Sequence, residues 1–524
     1  MLGTPLNFGH DVVDAWADKD PGSTALYVID DEGKSLKWSF ADLREISNRT
    51  ARWLKSHGIG LGDRVLVVLG KDPAFWPIMI ALSKLGAVPM PGTTQLTTKD
   101  LWYRLNTAEA TRAIVLPFVA ERIDQIDHDP LKAQIVIGGP TPGWTALNPY
   151  LLDSPAEALP KITGADDSAL IYFTSGTTGY PKMVLHNQTY PFAHRITAEY
   201  WLGLTHGDVH WNVSDTGWAK AAWSSLFGPW MAGAAIVVDS MTGKFSAPDL
   251  LAILQEHPVT SLCAPPTVYR LLVQEDLTAL RNNTLRSAAG AGEPLNPEVI
   301  AAFHEATGLM IRDGYGQTET VLLIGNAPNA VVKPGSMGLP APAFAMDVID
   351  HDGQPLSTGQ EGDIAIKVRP ERPMGLFVEY LGDPEGTASR FVGDYYITGD
   401  RAHRDDDGYF WFVGRADDVI ISSGYRIGPF EVESLLIEHP AVIEAAVVSS
   451  PDPIRGEVVK AFVVLKPGVA GDEALVRELQ EHVQNATAPY KYPRRIEFVS
   501  DLPKTISGKI RRIDLRQREW ASKS

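Results

Sequence analysis

Along most of the chain, apolar residues come in short unbroken runs: DRVLVVLG, RAIVLP, AQIVIG, SALIYF, AAIVVD and VTSLCAP. Runs of this length without polar alternation read as strands buried on both faces. Between several of them stand stretches of helical pattern, such as DPAFWPIMIALSKLG and PPTVYRLLVQEDL. The alternation predicts α/β layers with largely buried strands. Near Tyr395 the pattern changes. YYITGDRAHR and GYFWFVGR flank Asp405-Asp406-Asp407-Gly408, which predicts an antiparallel hairpin turning at Asp-Gly. After Arg415 a smaller α+β unit is expected, with a helix near FEVESLLIEH, strands at AVIEAAVVS and VVKAFVVLK, a helix near DEALVRELQEHVQ, the strand RRIEFVS and a basic loop. In the second of these helices Leu475, Leu479 and Val483 share one face. The boundary falls near Ala416–Asp417, which divides the chain into residues 1–416 and 417–524.

A chain of 524 residues exceeds one ordinary core, in keeping with this division. No apolar run reaches the ~18–20 residues of a membrane span. The start, MLGTPLNFGHDVVDAWADKD, has neither a signal-peptide pattern nor an Arg-rich leader. The single cysteine, Cys263, excludes internal disulfides and any multi-cysteine zinc site. These features together predict a cytoplasmic protein. A net charge of −17 speaks against nonspecific nucleic-acid binding. The acidity is uneven: Lys491 to Ser524 carries 10 basic against 4 acidic residues. Such a cluster is either solvated surface or a face for a polyanionic small molecule.

YFTSGTTGYPK, Tyr172 to Lys182, has the residue types of a phosphate loop, since glycines admit an anion and hydroxyls donate to it. Its glycines, Gly176 and Gly179, are three apart and Pro181 precedes Lys182, so it is not G-x-x-x-x-G-K-[ST]. Spacing alone leaves a surface turn and a phosphate grip equally open. GAGEPL and GYGQTE lack the third glycine of a dinucleotide fingerprint. No G-x-S-x-G elbow and no zinc-peptidase histidine pair is present.

Four polar clusters remain: YFTSGTTGYPK, DGYGQTET, YYITGDRAHRDDDGYFWFVGRADD and PKTISGKIRR. Their combination and order resemble the adenylate-forming superfamily of acyl-CoA synthetases, luciferases and peptide-synthetase adenylation domains, over essentially the whole chain. WNVSDTGWAKAAWSSLFGPW, CAPPTVYRLLVQ, KPGSMGLPAPAF and SSGYRIGPFEVESLLIEHPAV resemble its medium-chain acyl-CoA synthetase branch more closely.

The resemblance implies a large multi-layered α/β N-terminal domain and a small mobile α+β C-terminal domain. It implies an AMP-forming acid–thiol ligase that activates a medium-chain, branched or aromatic carboxylic acid as acyl-AMP and transfers it to CoA. The alternative is an adenylating enzyme that delivers the acyl group to a carrier protein or other acceptor. The expected small-molecule partners are ATP, CoA and the acid, with Mg²⁺ as cofactor, no nucleic acid, no membrane span and a homodimer as the candidate assembly.

Residue by residue, Thr174, Ser175, Gly176, Thr177, Thr178, Gly179 and Lys182 would cover the β- and γ-phosphates. Gly292, Glu293 and Pro294 would contact adenine, and Asp313, Gly314, Tyr315, Gly316, Gln317 and Thr318 would line adenine and the α-phosphate. Glu319 would hold Mg²⁺, and Asp400 with Arg415 would bind the ribose hydroxyls. Lys509 matches the lysine that bridges α-phosphate and carboxylate, and Arg426 a second phosphate-facing cation. Asp417 matches the hinge. Gln95, Ser423, Gly424, Tyr425, Arg455, Tyr492 and Arg494 would serve CoA. Trp218, Ala219, Lys220 and Trp223 would wall the acyl pocket. Gly316, standing where acetate-using relatives carry a tryptophan, is expected to leave its floor open to longer chains.

Overall fold

The computed structural model describes residues 5–128, 131–174, 181–240, 246–422, 425–453, 455–504 and 509–521. The apolar runs form strands as their pattern requires. Ala235–Asp239, Val209–Asn212, Ser261–Ala264, Ser287–Ala291 and Ile311–Tyr315 stand next to Thr24–Ile29 in a 9-stranded sheet, and these neighbours pair in parallel. Parallel strands need helices on both faces. One face is covered by Ala247–Glu256, Pro266–Leu272 and Pro297–Thr307, which bury Leu254, Tyr269 and Phe303 against it.

A second, 5-stranded parallel sheet is built on Arg64–Val68, Arg112–Val115 and Ala133–Ile137. Between the two sheets lie helices Phe40–Ser56 and Phe75–Leu85, in a core that includes Trp201, Trp223 and Trp230. Phe40–Ser56 starts at a capping box of Ser39 and Asp42, which satisfies the free N–H groups of its first turn.

The hairpin expected around Asp405–Gly408 is present. Tyr395–Arg404 pairs antiparallel with Phe410–Arg415, and Gly408 takes the left-handed conformation of the turn at φ 88°. These strands belong to an antiparallel sheet packed beside the main one. SALIYF departs from the parallel layers. Ser168–Phe173 pairs antiparallel with Met183–Asn187 in a separate 3-stranded sheet.

The small domain has its own 5-stranded sheet, dominated by the long pair Val442–Asp452 and Gly456–Leu465. Helices Pro429–Glu438 and Glu473–Ala486 pack on one face, and Leu475, Leu479 and Val483 are the buried residues of the second, as their spacing required. The terminal helix Arg512–Ala521 packs beside Val442–Asp452, with Leu515 among the buried residues. Asn296 Nδ2 of the large domain donates to Ser434 Oγ of the small one at 3.1 Å.

Candidate active site

Two sheets meet at Asp400. Tyr315 Oη, at the end of Ile311–Tyr315, and Gln317 Nε2, in the turn beyond it, both donate to Asp400 Oδ2, at 2.6 and 2.7 Å. No donor among the described residues reaches Oδ1 by a hydrogen bond. Asp400 projects from Tyr395–Arg404, directly opposite Arg415 on the paired strand. Burial raises its pKa, while Tyr315, Arg415, Gln317 and Lys509 pull it back toward the ionised form. Arg415 Nε is buried without a hydrogen-bond partner among the described residues.

Thr174 and Lys182, which flank the Gly/Thr/Ser residues, close the end of a hairpin. Phe173 stands opposite Met183, Thr174 N donates to Lys182 O at 3.0 Å, and Lys182 N donates to Thr174 Oγ1 at 3.1 Å. A Walker loop instead joins a strand to a helix. Ser175, Gly176, Thr177, Thr178 and Gly179 lie outside the described residues. The Lys182 ammonium stands 3.2 Å from Asp383 Oδ2 and 4.4 Å over the Tyr380 ring. Tyr380 Oη in turn donates to Glu319 Oε1 at 2.6 Å. The loop's exit is thereby tied to the acid expected to hold a metal. Thr318 is fixed through its carbonyl, which accepts from His186 Nε2 at 2.9 Å. Burial drives the His186 pKa down to about 3, so this imidazole is a neutral donor.

Lys509 enters from the small domain. The residue keeps an exposed surface, yet its ammonium lies where burial lowers its pKa. Glu293, Asp400 and Glu319 raise that pKa and Arg415 lowers it. Lys509, Glu293, Asp400 and Glu319 therefore lie near enough for these acids to act on the lysine's charge. Glu293 is held by Arg270 at 3.4 Å and follows Gly292, whose φ of 113° turns the chain after Ser287–Ala291. Pro294 follows in the same loop. Asp313 is buried, and burial lifts its pKa to about 7 against N–H groups from Leu295 and Gly314 and the charge of Lys220. Lys220 Nζ donates to Ala291 O at 3.1 Å. The tether holds the ammonium against the end of Ser287–Ala291.

The open floor expected at Gly316 is not there. A Cβ on Gly316 would stand 2.2 Å from Trp223 Cη2 and 2.5 Å from Val321 O. The indole of Trp223 fills the room that the missing side chain leaves. Gly314 repeats the device, with a Cβ reaching 2.4 Å from Trp201 Cε2. Two glycines, one on the strand and one just past its end, thus let two indoles pack there, their centroids 6.5 Å apart. Trp218 and Ala219, both partly buried, lead into this wall from the short helix Ala219–Ala221.

The residues assigned to CoA occupy other ground. Gln95 is exposed in the segment before Thr98–Thr107. Tyr425 is exposed on the small sheet and stacks on Tyr490 at 4.2 Å. Arg494 Nη1 donates to Tyr492 Oη at 3.0 Å, and Arg455 is exposed after Asp452. Ser423 and Gly424 lie outside the described residues, as does the side chain of Arg426 on Tyr425–Ile427. Asp417 is exposed, and its carbonyl accepts from Arg516 Nη1 at 2.5 Å.

Sequence reasoning did not single out Tyr380, Asp383, Arg270 or Trp201. Tyr380 sits on the two-residue strand Glu379–Tyr380, which has no periodicity to find. The YLGDPE stretch around it is its only local signal.

Asp400, Glu319, Glu293 and Lys509 are thus placed where their charges act on one another, and comparison with known proteins gives the chain its family. The chain matches the AMP-binding enzyme family over residues 13–371 and the AMP-binding enzyme C-terminal domain over 431–509. It belongs to that family. It is 47% identical to acyl-coenzyme A synthetase ACSM3, mitochondrial, of Mus musculus over 99% of this chain and 91% of that one. It is 48% identical to acyl-coenzyme A synthetase ACSM5, mitochondrial, of the same organism, over 98% and 91%. A solved structure of the anthranilate CoA ligase AuaEII in complex with anthranoyl-AMP superposes with a TM-score of 0.89 at 29% identity, covering 99% of this chain and 98% of that one.

The expected cytoplasmic location is corrected by these relatives, which are mitochondrial proteins. A low cysteine content reports a thiol-reducing environment, which the cytoplasm does not monopolise.

Proposed function

We propose that this protein is an ATP-dependent, AMP-forming acyl-CoA synthetase for medium-chain or related branched or aromatic acids. The observation that carries the reading is Asp400, whose Oδ2 accepts from Tyr315 and Gln317 with Arg415 directly opposite, while the charge of Lys509 from the small domain acts on it. In the first half-reaction a carboxylate oxygen of the acid attacks the α-phosphorus of ATP, and the bond to pyrophosphate breaks. An anion meets an anion, so positioning and charge neutralisation carry the catalysis. Lys509 would bridge the two oxyanions. Asp400 Oδ1, with no protein donor among the described residues, would accept from the ribose hydroxyls beside Arg415. Thr174 and Lys182 would bracket the β- and γ-phosphates, which here form the leaving group.

Mg²⁺ fits the donor set. Glu319 Oε1 is occupied by Tyr380 and Oε2 has no donor among the described residues. One hard oxygen is the protein share this cation takes when phosphates and water supply the rest. Bound there, it would neutralise phosphate charge. In the second half-reaction the CoA thiolate adds to the acyl carbonyl and AMP leaves. Rotation of the small domain about Asp417 would withdraw Lys509 and bring Ser423, Gly424 and Tyr425 toward the thiol path. The apolar wall of Trp218 and Trp223 suits an alkyl or aryl tail.

The test is Lys509→Ala. Carboxylate-dependent ATP–pyrophosphate exchange should fall ~10²–10³-fold, the scale of losing one stabilising donor, while supplied acyl-AMP is still converted to acyl-CoA. Equal loss of both half-reactions in a folded variant would remove Lys509 from this role.

A further inference from the structure

Helix Thr98–Thr107 carries a buried cation that the site described above does not use. Arg104 is 7% exposed, and its Nε and Nη1 are buried without a hydrogen-bond partner among the described residues. No salt bridge to it occurs among the described residues. The carboxylate one turn earlier, Asp100, is taken up by the helix cap, accepting from Thr97 N and Thr97 Oγ1 at 3.0 and 2.7 Å. The Arg104 guanidinium lies 4.6 Å from the centroid of Phe173, the last residue of the strand that leads into Thr174. The neighbouring Tyr103 Oη donates to Pro181 O at 2.9 Å, next to Lys182. One turn of this helix therefore touches both sides of the loop between Phe173 and Lys182.

A guanidinium resists deprotonation and carries its charge into the interior, where desolvation opposes it. The face of Phe173 returns only part of that cost. Burial accordingly lowers the Arg104 pKa to about 10, still far above neutrality. The loop's own lysine is already matched by Asp383. Asp100 acts on Arg104 only through its field and makes no ion pair with it, so the cation keeps charge to spare for an anion arriving at the flanks Thr174 and Lys182.

We propose that Arg104 is an electrostatic positioning residue for a polyphosphate, acting through Phe173 and the loop flanks to hold the β- and γ-phosphates of the nucleotide and then the pyrophosphate product at Thr174 and Lys182. The inference rests on the reading of that loop as a phosphate grip. It adds a fixed charge that does not move with the small domain, so the grip on pyrophosphate is set before Lys509 engages.

The experiment uses the full chain with Arg104→Met and Arg104→Lys, and reads ATP–pyrophosphate exchange together with the thermal shift produced by pyrophosphate alone. Arg104→Met should raise the KM for pyrophosphate about tenfold, as expected for removing one poorly screened charge, and should abolish the thermal shift. Its own unfolding midpoint should be equal or higher, because an unpaired buried charge is gone, and supplied acyl-AMP should react with CoA at the wild-type rate. Arg104→Lys should keep most of the pyrophosphate affinity. An unchanged KM for pyrophosphate in a folded Arg104→Met would overturn the proposal, as would equal loss in both half-reactions. Should Arg104→Met fail to fold, an Arg104→Lys variant with wild-type affinity and a wild-type thermal shift supports it, and one that loses both overturns it. A wild type without exchange on any acid, yet stabilised by pyrophosphate through Arg104, would refute the synthetase reading and leave this one standing.

Discussion

Gly316 and Trp223 set the tightest steric constraint among the residues of the candidate site. Their contact leaves no room for a methyl group, since a Cβ added at Gly316 would fall 2.2 Å from Trp223 Cη2. Gly316→Ala should therefore cost about 1–3 kcal/mol in denaturant unfolding, the usual range for overpacking a dense core. Trp223→Ala should shift preference toward bulkier acids in an AMP-release screen across chain lengths, and an unchanged profile would remove Trp223 from the acyl wall. Asp313 supplies a pH signature. Folding raises its pKa from 3.8 to about 7, so the fold favours the protonated acid. The associated stability is fully present below pH ~4 and is lost as pH rises through ~7. Asp313→Asn, neutral throughout, should gain on wild type over that window by up to on the order of 4 kcal/mol, measured as the difference between their unfolding free energies at each pH.

Among the elements, the long amphipathic helices were the most legible. Leu475, Leu479 and Val483 form a stripe at helical spacing, and they are the residues Glu473–Ala486 buries. Leu479→Ala should cost about 2–5 kcal/mol and should melt the small domain first, visible as a separate low-temperature transition in calorimetry. The hairpin at Asp405–Gly408 was equally legible, because an Asp-Gly turn between alternating strands leaves few other conformations. SALIYF was not. An apolar run is compatible with a parallel layer and with an antiparallel hairpin alike, and only its partner strand decides. That choice matters for the proposed function, because it brings Thr174 and Lys182 side by side at the end of a hairpin. Glu379–Tyr380 was illegible for a simpler reason: two residues have no period.

On the scale of the whole molecule, the proposed site draws on both domains and needs them apposed. Lys509 and Asp400 are more than a hundred positions apart in sequence, yet each appears among the charges that act on the other. Asn296–Ser434 is one of the contacts that hold this apposition. Asn296→Ala should loosen it by about 0.5–1.5 kcal/mol, the net value of one hydrogen bond, and so slow pyrophosphate exchange relative to the conversion of supplied acyl-AMP. Equal effects on both would mean the contact is indifferent to domain orientation. The sequence by itself determined the longer apolar strands, the amphipathic helices, the two-part division and the polar clusters, because each rests on local spacing or on short strings of chemically distinctive residues. Only the tertiary structure decided that Tyr380 joins Lys182 to Glu319, that Asp400 is shared by Tyr315 and Gln317, and that an indole from a distant helix occupies the space beside Gly316. Those are contacts between segments far apart along the chain, and they depend on how layers pack rather than on any pattern within one of them.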